Sequence, residues 1–115
     1  MRILNIAAAL SGAFALVMLT MAAHVLDLTP PDHDRVQLGA FVQLVAAAAA
    51  LAIANRSGKL NLIVGAMIVG GASVFAAVLY TLATTHMTQV AMLAPIGGLT
   101  LIGGWILLAF AKPGT

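Results

Sequence analysis

The chain contains no cysteine. That excludes disulfides, thiolate metal sites and cysteine nucleophiles. Charge is almost as scarce: Asp, Glu, Lys and Arg make up 7% of the 115 residues, against about 25% in a soluble domain. The three acids are all aspartates, and they fall within Asp27–Arg35. The five basic residues are dispersed along the chain, so no nucleic-acid patch exists and no nucleic-acid partner is expected. What remains is 63% hydrophobic, with a mean hydropathy of +1.12. No soluble fold could cover that much apolar surface, so the expected solvent is lipid.

The apolar residues form four runs, expected as membrane helices over about residues 3–26, 36–54, 60–84 and 93–111. They make one domain, residues 1–115, of the all-α membrane class: an up-down bundle of four transmembrane helices. The first run is too long for the apolar region of a signal peptide, about 7–15 residues, so it is read as a retained span. Asn5, Ala8, Gly12, Ala15 and Ala22 share one face of it, and Leu10, Phe14, Val17 and Met21 the other. In the second run Gly39, Gln43, Ala46 and Ala50 share a face, and a lone Gln in a span is expected to hydrogen-bond to a neighbouring helix. In the third, Ala66, Gly70, Ser73, Ala77, Tyr80 and Thr84 form a small-to-polar stripe opposite Val64, Ile68, Phe75, Leu79 and Leu82. In the fourth, Gly97, Thr100 and Gly104 oppose Leu99, Ile102, Ile106 and Phe110. The expected helix-packing positions are therefore Gly12, Gly39, Gln43, Gly70, Ser73, Ala77, Tyr80, Pro95, Gly97, Gly98, Thr100, Gly104 and Trp105.

Asp27 to Arg35 is expected as a solvated loop, in which Pro30-Pro31 stops a helix and stiffens the chain, with Asp32-His33-Asp34 too close in sequence to converge on one metal ion. Pro95 stands at the first turn of the fourth helix or kinks it. Asn55-Arg56-Ser57 matches a glycosylation acceptor, but weakly, because the charge pattern puts this turn inside the cell. Arg2, the Arg56/Lys59 turn and Lys112 flank alternate span ends, with Arg35 and the acids opposite. The positive-inside rule then makes both termini cytoplasmic, and the even span count agrees in requiring that they share a side.

The order Ala23-His24-Val25-Leu26, Phe75, Leu79-Tyr80, Leu82-Ala83, then Pro95-Ile96-Gly97-Gly98 and Gly104-Trp105, resembles the YgdD-type proteins. These are small uncharacterised bacterial inner-membrane proteins with a mitochondrial relative. The resemblance implies a four-helix membrane protein and no established reaction. The chain departs from it in three places. Leu19-Thr20-Met21-Ala22 replaces the family's Gly-Ala-Phe-Gly, and Ala76-Ala77-Val78 replaces Ser-Gly-Ser. The family's Tyr-Gln-x-x-His falls on Gly39 to Gln43, so Gly39 stands for its Tyr, Ala40 for its Gln and Gln43 for its His.

No carboxylate, Lys or Arg lies mid-span, where ion-coupled transporters keep them. His24 and His86 end the first and third spans and could each offer a ligand to a haem or metal, though an interfacial role fits them better. The expectation is a non-catalytic accessory or assembly subunit of a larger membrane complex, respiratory or otherwise energy-converting, with no cofactor of its own. Glycines at Gly71, Gly98 and Gly103 are expected to point out of the bundle toward partners. The alternatives are a small transporter and a haem or metal protein. The expected partners are lipid and other integral membrane subunits, a homo-oligomer being compatible. The expected location is the bacterial inner membrane, in preference to the mitochondrial one.

Overall fold

All four prolines stand at helix starts or beyond helix ends, and long stretches of Ala, Leu, Ile and Met lie between them, so nothing interrupts helix formation. The computed structural model, which describes residues 1–115, is all-helical: α1 Arg2–His24, α2 Pro30–Ala54, α3 Lys59–Thr85, a 3-10 turn Thr88–Leu93, and α4 Ala94–Leu108. Each of α1, α2, α3 and the segment Thr88–Leu108 is long and apolar enough to cross a membrane. The molecule measures 46 × 26 × 18 Å, and its long axis matches a bilayer with headgroups, about 40–45 Å.

Two boundaries differ from the sequence reading. The expected loop Asp27–Arg35 is mostly helix, because α2 begins at Pro30 with Thr29 as its N-cap residue and the prolines in its first turn. A proline there loses no hydrogen bond and its fixed φ suits the helix, so Pro30-Pro31 opens α2. The fourth helix ends at Leu108, short of Ala111, and is preceded by a 3-10 turn. Pro95 has no N–H to continue an α-ladder backwards, and the tail beyond Leu108 is drawn to another partner described below.

Neighbouring helices run in opposite directions. The Met1 amino group donates to Ala54 O at 3.2 Å, Gly39 packs on Ala76 and Tyr80, and Gly97 packs on Gly71 and Phe75. The bundle is open: α2 and α3 are central, and no Cα of α1 comes within 8 Å of one in α4. One buried cluster joins Leu4, Ala8, Ala50, Ile53, Val64 and Ile68 near one end, and another joins Ala15, Val36, Ala40, Ala76 and Tyr80 near the other. The outer surface carries large apolar side chains all round, including Ile3, Phe14, Phe41, Met92, Leu99 and Phe110.

The tail Lys112–Thr115 folds over the α2–α3 turn. Gly114 N donates to Ser57 O at 3.1 Å and Leu60 N to Thr115 O at 2.8 Å. Gly58, at φ +103°, allows this approach: a Cβ there would run into the Gly114 and Thr115 backbone. The buried Asn61 side chain clamps the same end, donating to Ser57 O at 2.9 Å and Lys112 O at 2.7 Å.

Candidate functional site

Two polar clusters stand out in a molecule with so few polar groups. The first lies inside, where three helices meet. Tyr80 on α3 donates its hydroxyl to Gln43 Oε1 on α2 at 2.7 Å. Gln43 Nε2 donates to Ser11 Oγ on α1 at 3.0 Å, and Ser11 Oγ lies 3.5 Å from Ser73 Oγ on α3. Gly39 makes room for the Tyr80 ring: a Cβ at residue 39 would sit 3.2 Å from Tyr80 Cε1. The Phe14 ring covers Tyr80 from α1, with centroids 5.8 Å apart. No buried side-chain N or O lacks a hydrogen-bond partner. None of the five main surface grooves is lined by any of its four residues. Its chemistry is that of an interhelical fastener made of neutral groups.

The second cluster closes the end of the molecule away from the chain termini. Asp32, buried in the first turn of α2 ahead of the apolar stretch, receives Thr29 Oγ1 at 3.1 Å and Arg35 Nη1 at 2.6 Å. His86 Nε2 lies 2.8 Å from Asp32 Oδ2, the oxygen that Thr29 also reaches, while Arg35 takes Oδ1. His86 is itself the left-handed residue, φ 57°, that terminates α3, and its backbone N–H returns to Leu82 O. The His86 hydrogen bond, helped by Arg35 and Thr29, holds the Asp32 carboxyl below its ordinary range although burial opposes this. Asp32 thus ties the start of α2 to the end of α3. The solvated-loop reading of Asp32-His33-Asp34 is corrected here: the helix start at Pro30 turns Asp32 inward.

The other expected positions divide. Gly12 is buried against Ala47, and Gly104 against Met67 and Ile68. Gly97 meets Gly71 backbone to backbone. Thr100 returns its hydroxyl to Ile96 O, Gly98 touches only the rim of Phe75, and Pro95 is exposed in the first turn of α4. Trp105 is half-exposed, over an apolar groove of about 270 Å³ lined with Phe41, Val45 and Leu101. On α3 the phase differs from expectation. Gly70 and Ala77 are exposed, and a Cβ on Gly70 would meet nothing within 4 Å. The buried faces run instead through Asn61, Val64, Ile68, Gly71, Ala72 and Ala76. Gly71, expected to point outward, is the most tightly packed glycine toward α4. His24 is exposed at the last turn of α1, and the His86 ring is engaged by Asp32.

Sequence reasoning missed Ser11, Asp32 and Asn61. Thr29-Pro30-Pro31-Asp32 did carry a signal, a helix start with a cap residue, proline at the first position and an acid at the third.

The fold and these clusters define a small all-α protein whose four helices have the length and apolarity of a multi-pass membrane protein. A family model described as "Protein of unknown function (DUF423)" matches residues 8–98, and the chain belongs to that family. The sequence resemblance to a family of small proteins of unknown function is thereby met. No curated protein and no solved structure shows a match to the chain.

Proposed function

We propose that this protein is a four-span subunit of the bacterial inner membrane, with both termini cytoplasmic, that acts by packing against other membrane proteins and catalyses nothing itself. The observation that carries this reading is the uncovered face of α3. Leu4 and Ser11 of α1 meet α3 at Gly65 and Ser73, while α4 meets it at Met67, Ile68 and Gly71. At 100° per residue, Ala66, Gly70 and Ala77 fall between those two contacts, and all three are exposed. Small residues on a span let another backbone approach closely, and dispersion then holds the helices where lipid gives no hydrophobic drive. The polar network supports the non-catalytic half, since its buried groups are already hydrogen-bonded to one another and line none of the main grooves.

Mild solubilisation followed by native electrophoresis tests the reading. The expected result is an 11.7 kDa chain migrating within a much larger assembly. Gly70→Leu is expected to release it from that assembly while the isolated chain stays folded. Migration as a monomer or small homo-oligomer would overturn the subunit role and bring the transporter alternative forward.

A further inference from the structure

The two ends of the molecule are electrically unlike. Contacts among Met1, Ala54, Asn61 and Lys112 gather Arg2, Arg56, Lys59 and Lys112 at one end. All three aspartates belong to the opposite end. The two ion pairs of the structure both involve Asp32, so none of those four basic residues has a carboxylate partner. At this basic end, Met1, Arg2, Ile3, Leu4 and Leu62 line a groove of about 360 Å³ between the starts of α1 and α3. Leu4 forms its floor by lying on Gly65, and Ile3 stands 84% exposed at its wall. Lys59 is exposed one helical turn before Leu62, on the same side of α3. The groove therefore has an apolar bed and a cationic rim, two parts whose complements occur together in one kind of molecule.

We infer that this groove binds one anionic phospholipid, its phosphate between Arg2 and Lys59 and an acyl chain along Ile3, Leu4 and Leu62. Charge complementarity selects the occupant: a neutral lipid would leave two unpaired cations at the rim, and a zwitterionic one would bring a third cation, its own ammonium, beside them along with its phosphate. Basic pockets between spans on the cytoplasmic side are known to take anionic headgroups, each Lys or Arg near the surface adding about five-fold in affinity. The inference rests on the membrane-spanning and orientation parts of the proposed function and is independent of the subunit role.

Native mass spectrometry of the full chain in mild detergent tests it, with phosphatidylglycerol, phosphatidylcholine of the same chains, or inorganic phosphate as the probe. Phosphatidylglycerol is expected to be retained as one bound lipid, and phosphatidylcholine much less. Arg2→Gln and Lys59→Gln should each weaken retention about five-fold. Arg2→Lys should preserve it, and so should Lys112→Gln, which removes a charge from the same end but outside the groove. Melting curves of the variants establish that the fold is kept. Equal retention of the two lipids would overturn the inference, as would competition by inorganic phosphate at matched concentration. Equal losses for Lys112→Gln and Arg2→Gln would mean a diffuse field and no site. A chain that runs alone on native gels leaves these outcomes unchanged, and a chain absent from the membrane fraction defeats both readings together.

Discussion

Gly70 and Gly71 are adjacent on α3, and replacing each by Ala separates packing from every other effect. Gly→Ala raises helix propensity by about 1 kcal/mol at either position, so that contribution cancels between the two variants. The surroundings do not cancel. A Cβ on Gly71 would sit 2.7 Å from Leu101 N and 2.8 Å from Gly97 O, both backbone atoms that no rotamer change can move. Ordinary contact begins near 3.4 Å, so α3 and α4 must part locally by about 0.6–0.7 Å. A gap of that size forfeits roughly a quarter to a half of each affected dispersion contact. Overpacking of this kind costs about 1–3 kcal/mol. Gly70→Ala meets open space and should be neutral or slightly stabilising. Unfolding of the purified protein in mixed detergent reads the difference. Circular dichroism follows total helix, and fluorescence of Trp105, the one tryptophan, follows the docking of α4. Gly71→Ala is expected to be less stable than Gly70→Ala by about 1–3 kcal/mol, with the Trp105 signal lost first. Equal stabilities would refute the close α3–α4 approach.

In the inner network, a double-mutant cycle of Gln43→Leu with Tyr80→Phe should give a coupling of about 0.6 kcal/mol and no more than about 1.7; zero coupling would mean that the two side chains do not bond. At the other cluster, the carboxyl of Asp32 is held low, so the stability it contributes is present above the ordinary carboxylate pKa of about 3.9 and lost as pH falls through its lowered value. The melting difference between the native chain and Asp32→Asn, present at pH 7, should therefore shrink under acid; a difference that grows on acidification contradicts the assignment. Reporter fusions after Lys59 and after Lys112 should read cytoplasm, and one within residues 25–29 the outside. An external carboxy terminus would defeat the orientation.

How far the sequence carried depended on how many neighbours each helix has. On α1 and α4 the small residues Gly12, Ala15, Gly97 and Gly104 lie opposite bulky Leu10, Phe14, Leu99 and Ile106, so the buried side is legible from 3.6-residue spacing alone. The face of α2 was legible for the same reason, with Gln43 as a further marker: a polar side chain in an apolar helix must turn toward a partner. The identity of that partner was not legible. Tyr80 and Ser11 lie 37 and 32 residues away, and nothing local sets which turn of α3 faces which turn of α2. Asp32 was misread through over-weighting proline as a helix stop, when the same residue is the best opening residue a helix has.

On α3 the failure has a different cause, and it bears on function. This helix touches α1, α2 and α4, so three of its sides must be narrow. Gly65, Ala66, Gly70, Gly71, Ala72, Ser73, Ala76 and Ala77 accordingly supply small residues nearly all the way round. A stripe drawn through Gly70 and Ala77 is then as regular as one drawn through Gly65, Ala72 and Ala76, and periodicity cannot choose between them. Only the approach of α4, which needs two facing glycines to bring backbones together, fixes the phase. Once Gly71 is spent on Gly97, the glycine left without a neighbour is Gly70, 100° further round, on the side where α1 and α4 leave α3 bare. The case for a partner therefore moves to a different face and becomes narrower. Glycine at residue 70 gains nothing for this chain alone, since Ala would raise helix propensity and strike no atom. Under the proposed subunit role, its benefit comes from a backbone that approaches from outside.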